Sequence, residues 1–343
     1  MLDFILILGC SILALMGHGA RKRKWLEWFV RIIIGFFVLL ELNMALFGQD
    51  FSQPWIGKVT MVMALASLII LVLPMRKLIS ALFTFLDGIT SLRAITGPVR
   101  HHMSVINSII AKKVFIPESI PHMVGLFCFI TTFGWFLQVV NPASMDFPSL
   151  PFAVPISVDT LFSYNGLGLV FVSLCGIGIF VSRNWKECCD RLGWKKPSMA
   201  QVGIGIGLIG FSFAYDLIWS LYTHGLTDQD LATKLSAYNS GTFAVSDNFG
   251  VAVMMGLATA IFAGIGEETL IRGALQPVVG ILPAAILHGV LHAQFSHAPI
   301  FIVQVAIWSV CMGIVRRFTN TTTTIIGHAG FNFVTTFLFV FNP

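Results

Sequence analysis

Near the end of this 343-residue chain, Glu267, Glu268 and Arg272 close an apolar run that begins at residue 251. Two neighbouring carboxylates and a guanidinium are costly to take out of water, so at membrane depth they mark a functional site by default. Successive helical residues step by about 100°. Glu268 and Arg272, four apart, therefore share a face and can pair within one helix. Glu267 points along another stripe with Ala260, Ala263, Gly264 and Ala274, small residues that let a neighbouring helix approach closely. Further on, His288 and His292 lie four apart, and so do His328 and Asn332. A carboxylate beside an imidazole can draw a proton from water. An amide and a suitably protonated imidazole can hold a developing oxyanion, each such donor being worth about 3 kcal/mol. A glutamate, two histidine-bearing turns and an asparagine on three of the last four apolar runs point to a functional site.

The elements that must position them are membrane helices. The chain is 56% hydrophobic and 11% charged, against roughly 25% charged in a soluble domain. Its mean hydropathy is +0.85. The formal charge of +5 comes from 21 basic and 16 acidic residues. The basic residues gather between apolar runs, which fits membrane topology and speaks against nucleic-acid binding. None of the six cysteines has Cys-x-x-Cys spacing, so neither a disulfide framework nor a cysteine zinc site is indicated. Cys188 and Cys189 are adjacent in a basic loop, where they read as loop thiols, lipid attachment being the alternative.

A span needs about 20 apolar residues. That rule gives ten candidates, at 2–17, 28–47, 58–75, 121–140, 160–182, 201–222, 248–270, 277–295, 299–316 and 321–341. The basic cluster Arg21 to Lys24 follows the first run and places that loop in the cytoplasm. The basic loops after the third, fifth and ninth runs then alternate consistently, and both termini fall outside. The expected fold is all-α, a polytopic transmembrane bundle of about ten spans. A polar break at 185–198 divides an N-terminal region, 1–182, from a C-terminal one, 183–343. The connection at 78–121 is expected to hold surface-lying helices, and 141–159 an extended outer loop. Glu41 and Asp216 are lone acids within spans, expected to face the bundle interior and pair locally. His297 reads as an interfacial loop residue.

Glu267-Glu268-x-x-x-Arg272, a histidine four residues after a usually aromatic position, and His328-x-x-x-Asn332 occur in an order and spacing that resemble the CPBP family. These are the intramembrane proteases related to CAAX prenyl endopeptidases and to bacteriocin-processing or self-immunity proteins. The resemblance covers about 247–341, with Leu192-Gly193-Trp194 as an upstream extension. It implies that the C-terminal spans form the catalytic core and that Glu267 and His292 activate water. It further implies that His328 and Asn332 stabilise the oxyanion, while Glu268 and Arg272 hold the helix and orient the base. His288 stands where the family usually has phenylalanine.

Two readings of the cofactor follow. The resemblance implies a metal-free glutamate mechanism, and no His-Glu-x-x-His motif is present. The alternative is zinc held by Glu267, His288, His292 and His328, three nitrogens and one oxygen. The expected substrate is a membrane protein or lipidated peptide cut near the cytoplasmic face, with the N-terminal spans free to bind a partner protein. Other classes of function remain: a proton-coupled transporter using the same Glu and His groups, or a scaffold or immunity factor without turnover. Against the transporter, the two halves show no matching broken helices.

Overall fold

The computed structural model describes residues 2–47, 54–90, 114–139, 166–223, 249–292 and 299–341. Among them the chain is helical and contains no strand, as expected where a bilayer leaves backbone groups no partner but their own helix. In chain order the helices are α1 (Leu2–Gly19), α2 (Lys24–Phe47), α3 (Pro54–Ile69), α4 (Leu73–Thr90), α5 (Ile120–Val139), α6 (Leu167–Gly176) and α7 (Trp185–Leu192). Then follow α8 (Met199–Thr223), α9 (Phe249–Glu268), a π-helical segment (Thr269–Leu275), α10 (Gln276–Val279), α11 (Ile281–Leu291), α12 (Pro299–Phe318) and α13 (Thr321–Phe341).

By length and composition, three stretches among the described residues are long and apolar enough to cross a membrane: Lys24–Phe47, Met199–Thr223 and Ile300–Phe318. The α3–α4 pair makes a fourth if its two halves count as one broken span. The protein is an integral membrane protein. The run expected at 58–75 breaks after Ile69, and α4 leaves at 105° to α3. Pro74 sits in the first turn of α4, where its missing N–H costs nothing, and cannot continue α3. The buried Arg76 collects the freed carbonyls, donating from Nη1 to Ile70 (2.7 Å) and Leu71 (3.0 Å) and from Nε to Pro117 (2.6 Å). The run expected at 277–295 is interrupted at Gly280, whose φ of +89° favours glycine. Residues 141–159, 91–113 and His297 lie outside the described residues.

One apolar core joins the two regions. Leu13, Ile34, Phe83, Met123 and Phe127 pack in the same cluster as Ile271, Val279, Ala284 and Leu287. The N-terminal helices therefore back the π-helical segment and α11. Nη2 of Arg317 donates to both carboxylate oxygens of Asp87 (2.5 and 2.6 Å) and ties the end of α12 to α4. Of the lone acids, Asp216 accepts from Gln304 at 2.9 Å, whereas Glu41 has a buried oxygen without a hydrogen-bond partner. All six cysteines are free, and Cys188 is buried.

The polar break at 185–198 is a bracket. Asn184 and Glu187 cap the start of α7 reciprocally, and Gly193 ends it in the left-handed conformation, φ +75°. Beyond it, Trp194 donates to Thr269 in the π-helical segment (3.1 Å), while Thr321 at the start of α13 donates to the carbonyls of Leu192 (2.5 Å, side chain) and Gly193 (3.1 Å, backbone). Arg191 donates to the carbonyls of Gly273 (2.8 Å) and Ala274 (3.4 Å). Burial, then the charges of Arg316 and Arg183, bring its guanidinium down to about 10, so it stays protonated and bonded at neutral pH.

Candidate active site

The site forms where α9, α11, α12 and α13 meet. Gly264 lets α9 lie directly on α13: a Cβ there would stand 2.8 Å from the Cβ of Ala329 and 2.9 Å from its backbone. Gly289 does the same for α11 against Ile302 and Ala306 of α12. These close approaches bring short polar side chains within bonding range.

Glu267 Oε2 lies 2.8 Å from Nε2 of His288 and 4.0 Å from Nε2 of His328. Glu268 is completely buried. It meets Arg272 at 3.3 Å through Oε2, an ion pair not aligned as a hydrogen bond, and accepts from Nδ1 of His328 at 3.1 Å through Oε1. Arg272, also fully buried, donates to Ser309 at 2.9 Å. Ser309 Oγ is 3.1 Å from Nδ1 of His288. The rings of His288 and His292 are 5.2 Å apart, and Nδ1 of His292 bonds the carbonyl of His288 at 2.9 Å. Asn332 is half-buried on α13, one turn beyond His328.

These bonds fix the proton positions. A carboxylate only accepts, so Nδ1 of His328 carries a proton toward Glu268. The carbonyl bond likewise protonates Nδ1 of His292 and leaves its Nε2 as the acceptor. Nδ1 of His288 faces Arg272 at 3.5 Å, which can only donate, and so Nε2–H of His288 points at Glu267.

The structure thus draws Glu267, Glu268, Arg272, His288, His292 and His328 into one cluster. The small-residue stripe does make the close helix contact, but Glu268 bonds the helix across it, while Glu267 turns to His288. Donor atoms of Glu267, His288 and His292 all lie within 4.8 Å of one another, a group able to hold a metal ion. His328, the fourth ligand of the zinc alternative, is not in that group, its Nδ1 being engaged by Glu268. Ser309 and Trp308 join the site without a signal in the sequence beyond a polar residue in mid-span.

Residues 249–334 match the family model described as type II CAAX prenyl endopeptidase Rce1-like. That segment is similar to the CPBP proteases. The matched segment is about a quarter of the chain and holds every residue of the cluster. The Rce1-like family is one of intramembrane proteases. No curated protein and no solved structure matches the chain.

Proposed function

We propose that the CPBP-like segment is a glutamate-type endopeptidase that hydrolyses a peptide bond of a membrane-embedded or lipid-anchored substrate near the cytoplasmic face. The observation that carries this is Glu267 Oε2, bonded to His288 and 4.0 Å from His328, a separation that a single water can bridge. Glu267, with His292 accepting through Nε2, takes a proton from that water, and the hydroxide adds to the scissile carbonyl carbon. His328, as an imidazolium that keeps Nδ1–H on Glu268 and offers Nε2–H, donates with Asn332 to the resulting oxyanion. Glu267 returns the proton to the leaving nitrogen, the C–N bond breaks as the oxyanion collapses, and the carboxylic acid formed passes its proton to the amine, so that a carboxylate and an ammonium depart. Glu268 and Arg272 neutralise each other and hold His328, and His288 orients Glu267. The CAAX description of the family favours a prenylated C-terminal peptide as substrate. The shorter apolar helices complete a multi-pass bundle of about ten spans with its basic loops in the cytoplasm, and the N-terminal spans are available to a partner protein.

Glu267→Gln is the decisive variant. It should abolish cleavage while the protein still inserts and purifies, and peptides accumulating in membranes that carry the variant would identify the substrate. Turnover retained by Glu267→Gln would remove Glu267 from the mechanism. Full rescue of a cellular phenotype by the same variant would favour a scaffold.

A zinc-dependent version is the second reading, favoured by the donor group of Glu267, His288 and His292. These three would hold the ion, which would supply a Lewis acid to the attacking water. Against it, Arg272 faces Nδ1 of His288, the nitrogen that a metal-bound imidazole uses to donate to its surroundings. Cleavage should therefore survive exhaustive chelation. Activity lost to a chelator and restored by zinc would reverse the choice.

A further inference from the structure

Trp308 on α12 is buried beside the two site histidines that the mechanism uses to donate. Its ring centroid is 4.9 Å from that of His328, edge to face at 72°, and 5.9 Å from that of His288. His288 and His328 are themselves 5.9 Å apart, so the three rings form a closed triangle. The indole cannot swivel in it. Its N–H donates to Ser212 of α8 at 2.8 Å, and Ser212 donates in turn to the carbonyl of Leu208 at 2.9 Å.

His288 is bonded at both ring nitrogens, to Ser309 and to Glu267, whereas His328 is bonded at one. His328 is fixed by its Nδ1 bond to Glu268, which leaves the ring free to turn about the line of that bond. The opposite nitrogen, Nε2, is the one that faces Glu267 and would meet the oxyanion. The indole set edge to face against the imidazole supplies the missing constraint, since such aromatic pairs favour one relative orientation beyond simple burial.

We propose that Trp308 is a positioning residue: pinned by Ser212, its indole sets the ring plane of His328, aiming its Nε2 at the reacting centre. This rests on the glutamate-protease reading above. Through Ser212 it also makes α8, which lies outside the matched segment, part of the machinery that holds the site.

The test uses full-length protein in detergent with a farnesylated, internally quenched peptide ending in a CAAX sequence. Trp308→Leu should lower kcat about tenfold with KM almost unchanged, and Trp308→Phe, which keeps a flat ring, should recover most of it. Ser212→Ala, which releases the indole without emptying its place, should fall between them. In a His328→Ala background Trp308→Leu should cost nothing more. A wild-type kcat in Trp308→Leu, or the same tenfold loss in both backgrounds, overturns the proposal. If the wild type cuts the peptide no better than Glu267→Gln, the protease reading fails on this substrate, and the ring contact is judged by nitrogen NMR of labelled histidines. Trp308→Leu must then shift the His328 signals while leaving those of His122 in place, and unchanged His328 signals refute the positioning role.

Discussion

Adding one methyl group at Gly264 should disable the site from a distance. The Cβ of Gly264→Ala would lie 2.8 Å from the Cβ of Ala329, and 2.9 Å from both its Cα and its backbone nitrogen, where ordinary contact begins at 3.4 Å. None of these atoms is the end of a flexible side chain. The two helices must therefore part by about 0.5 Å or more, an overpacking that typically costs about 1–3 kcal/mol of stability. Gly264 lies one turn before Glu268, and Ala329 follows His328. The same separation stretches the 3.1 Å bond between Glu268 and His328 to about 3.6 Å, beyond useful hydrogen-bond range. If that bond holds His328 as an oxyanion donor, the loss approaches that of one such donor, about 100-fold in kcat. Cleavage of a quenched peptide and thermal unfolding should be measured together, with Gly203→Ala of α8 as the control, because a Cβ there meets nothing within 4 Å. A Gly264→Ala protein with unaltered kcat would refute the claim that this helix contact sets the catalytic geometry.

Glu268→Gln leaves Arg272 buried without its counter-charge and should cost about 3–5 kcal/mol, read as a fall in melting temperature. Glu268→Gln combined with Arg272→Met should recover much of that stability but not turnover, since His328 still lacks its carboxylate. Gly193→Ala must hold φ +75° and place a Cβ 2.8 Å from the Thr321 hydroxyl, so a loss of about 1–3 kcal/mol is expected, again by thermal unfolding. Exhaustive chelation should leave kcat intact, checked with a metal assay of the purified protein.

Much of the site was legible because its chemistry is expensive to bury. Glutamates, arginine and histidines in apolar runs stand out, and four-residue spacing correctly placed Glu268 on Arg272. The helix lengths were less legible, since an apolar run reads the same whether or not the backbone turns within it. Only Pro74 and Gly280 mark the breaks after Ile69 and Val279, and either residue is compatible with a continuous run. The π-helical segment after Glu268 has no compositional mark at all. Trp308, Ser309 and Ser212 were invisible for another reason: their roles come from which helices touch, and residues 96 positions apart, such as Ser212 and Trp308, meet only in the fold.

The adjacency of Glu267 and Glu268 has a physical consequence of its own. Consecutive helical side chains diverge by about 100°, so one dipeptide can serve two neighbouring helices, Glu267 bonding α11 through His288 and Glu268 bonding α13 through His328. Two negative charges this close would repel strongly in an apolar interior. Arg272 lessens that repulsion selectively, because it contacts Glu268 and is kept there by Ser309. The pair so formed is a nearly neutral frame, fully buried and without access to water, whereas Glu267 retains some exposure, 20% of its side chain. The carboxylate that can meet water is thus the one left without a guanidinium partner, an asymmetry that supports the proposed division, with Glu267 as base and Glu268 as support.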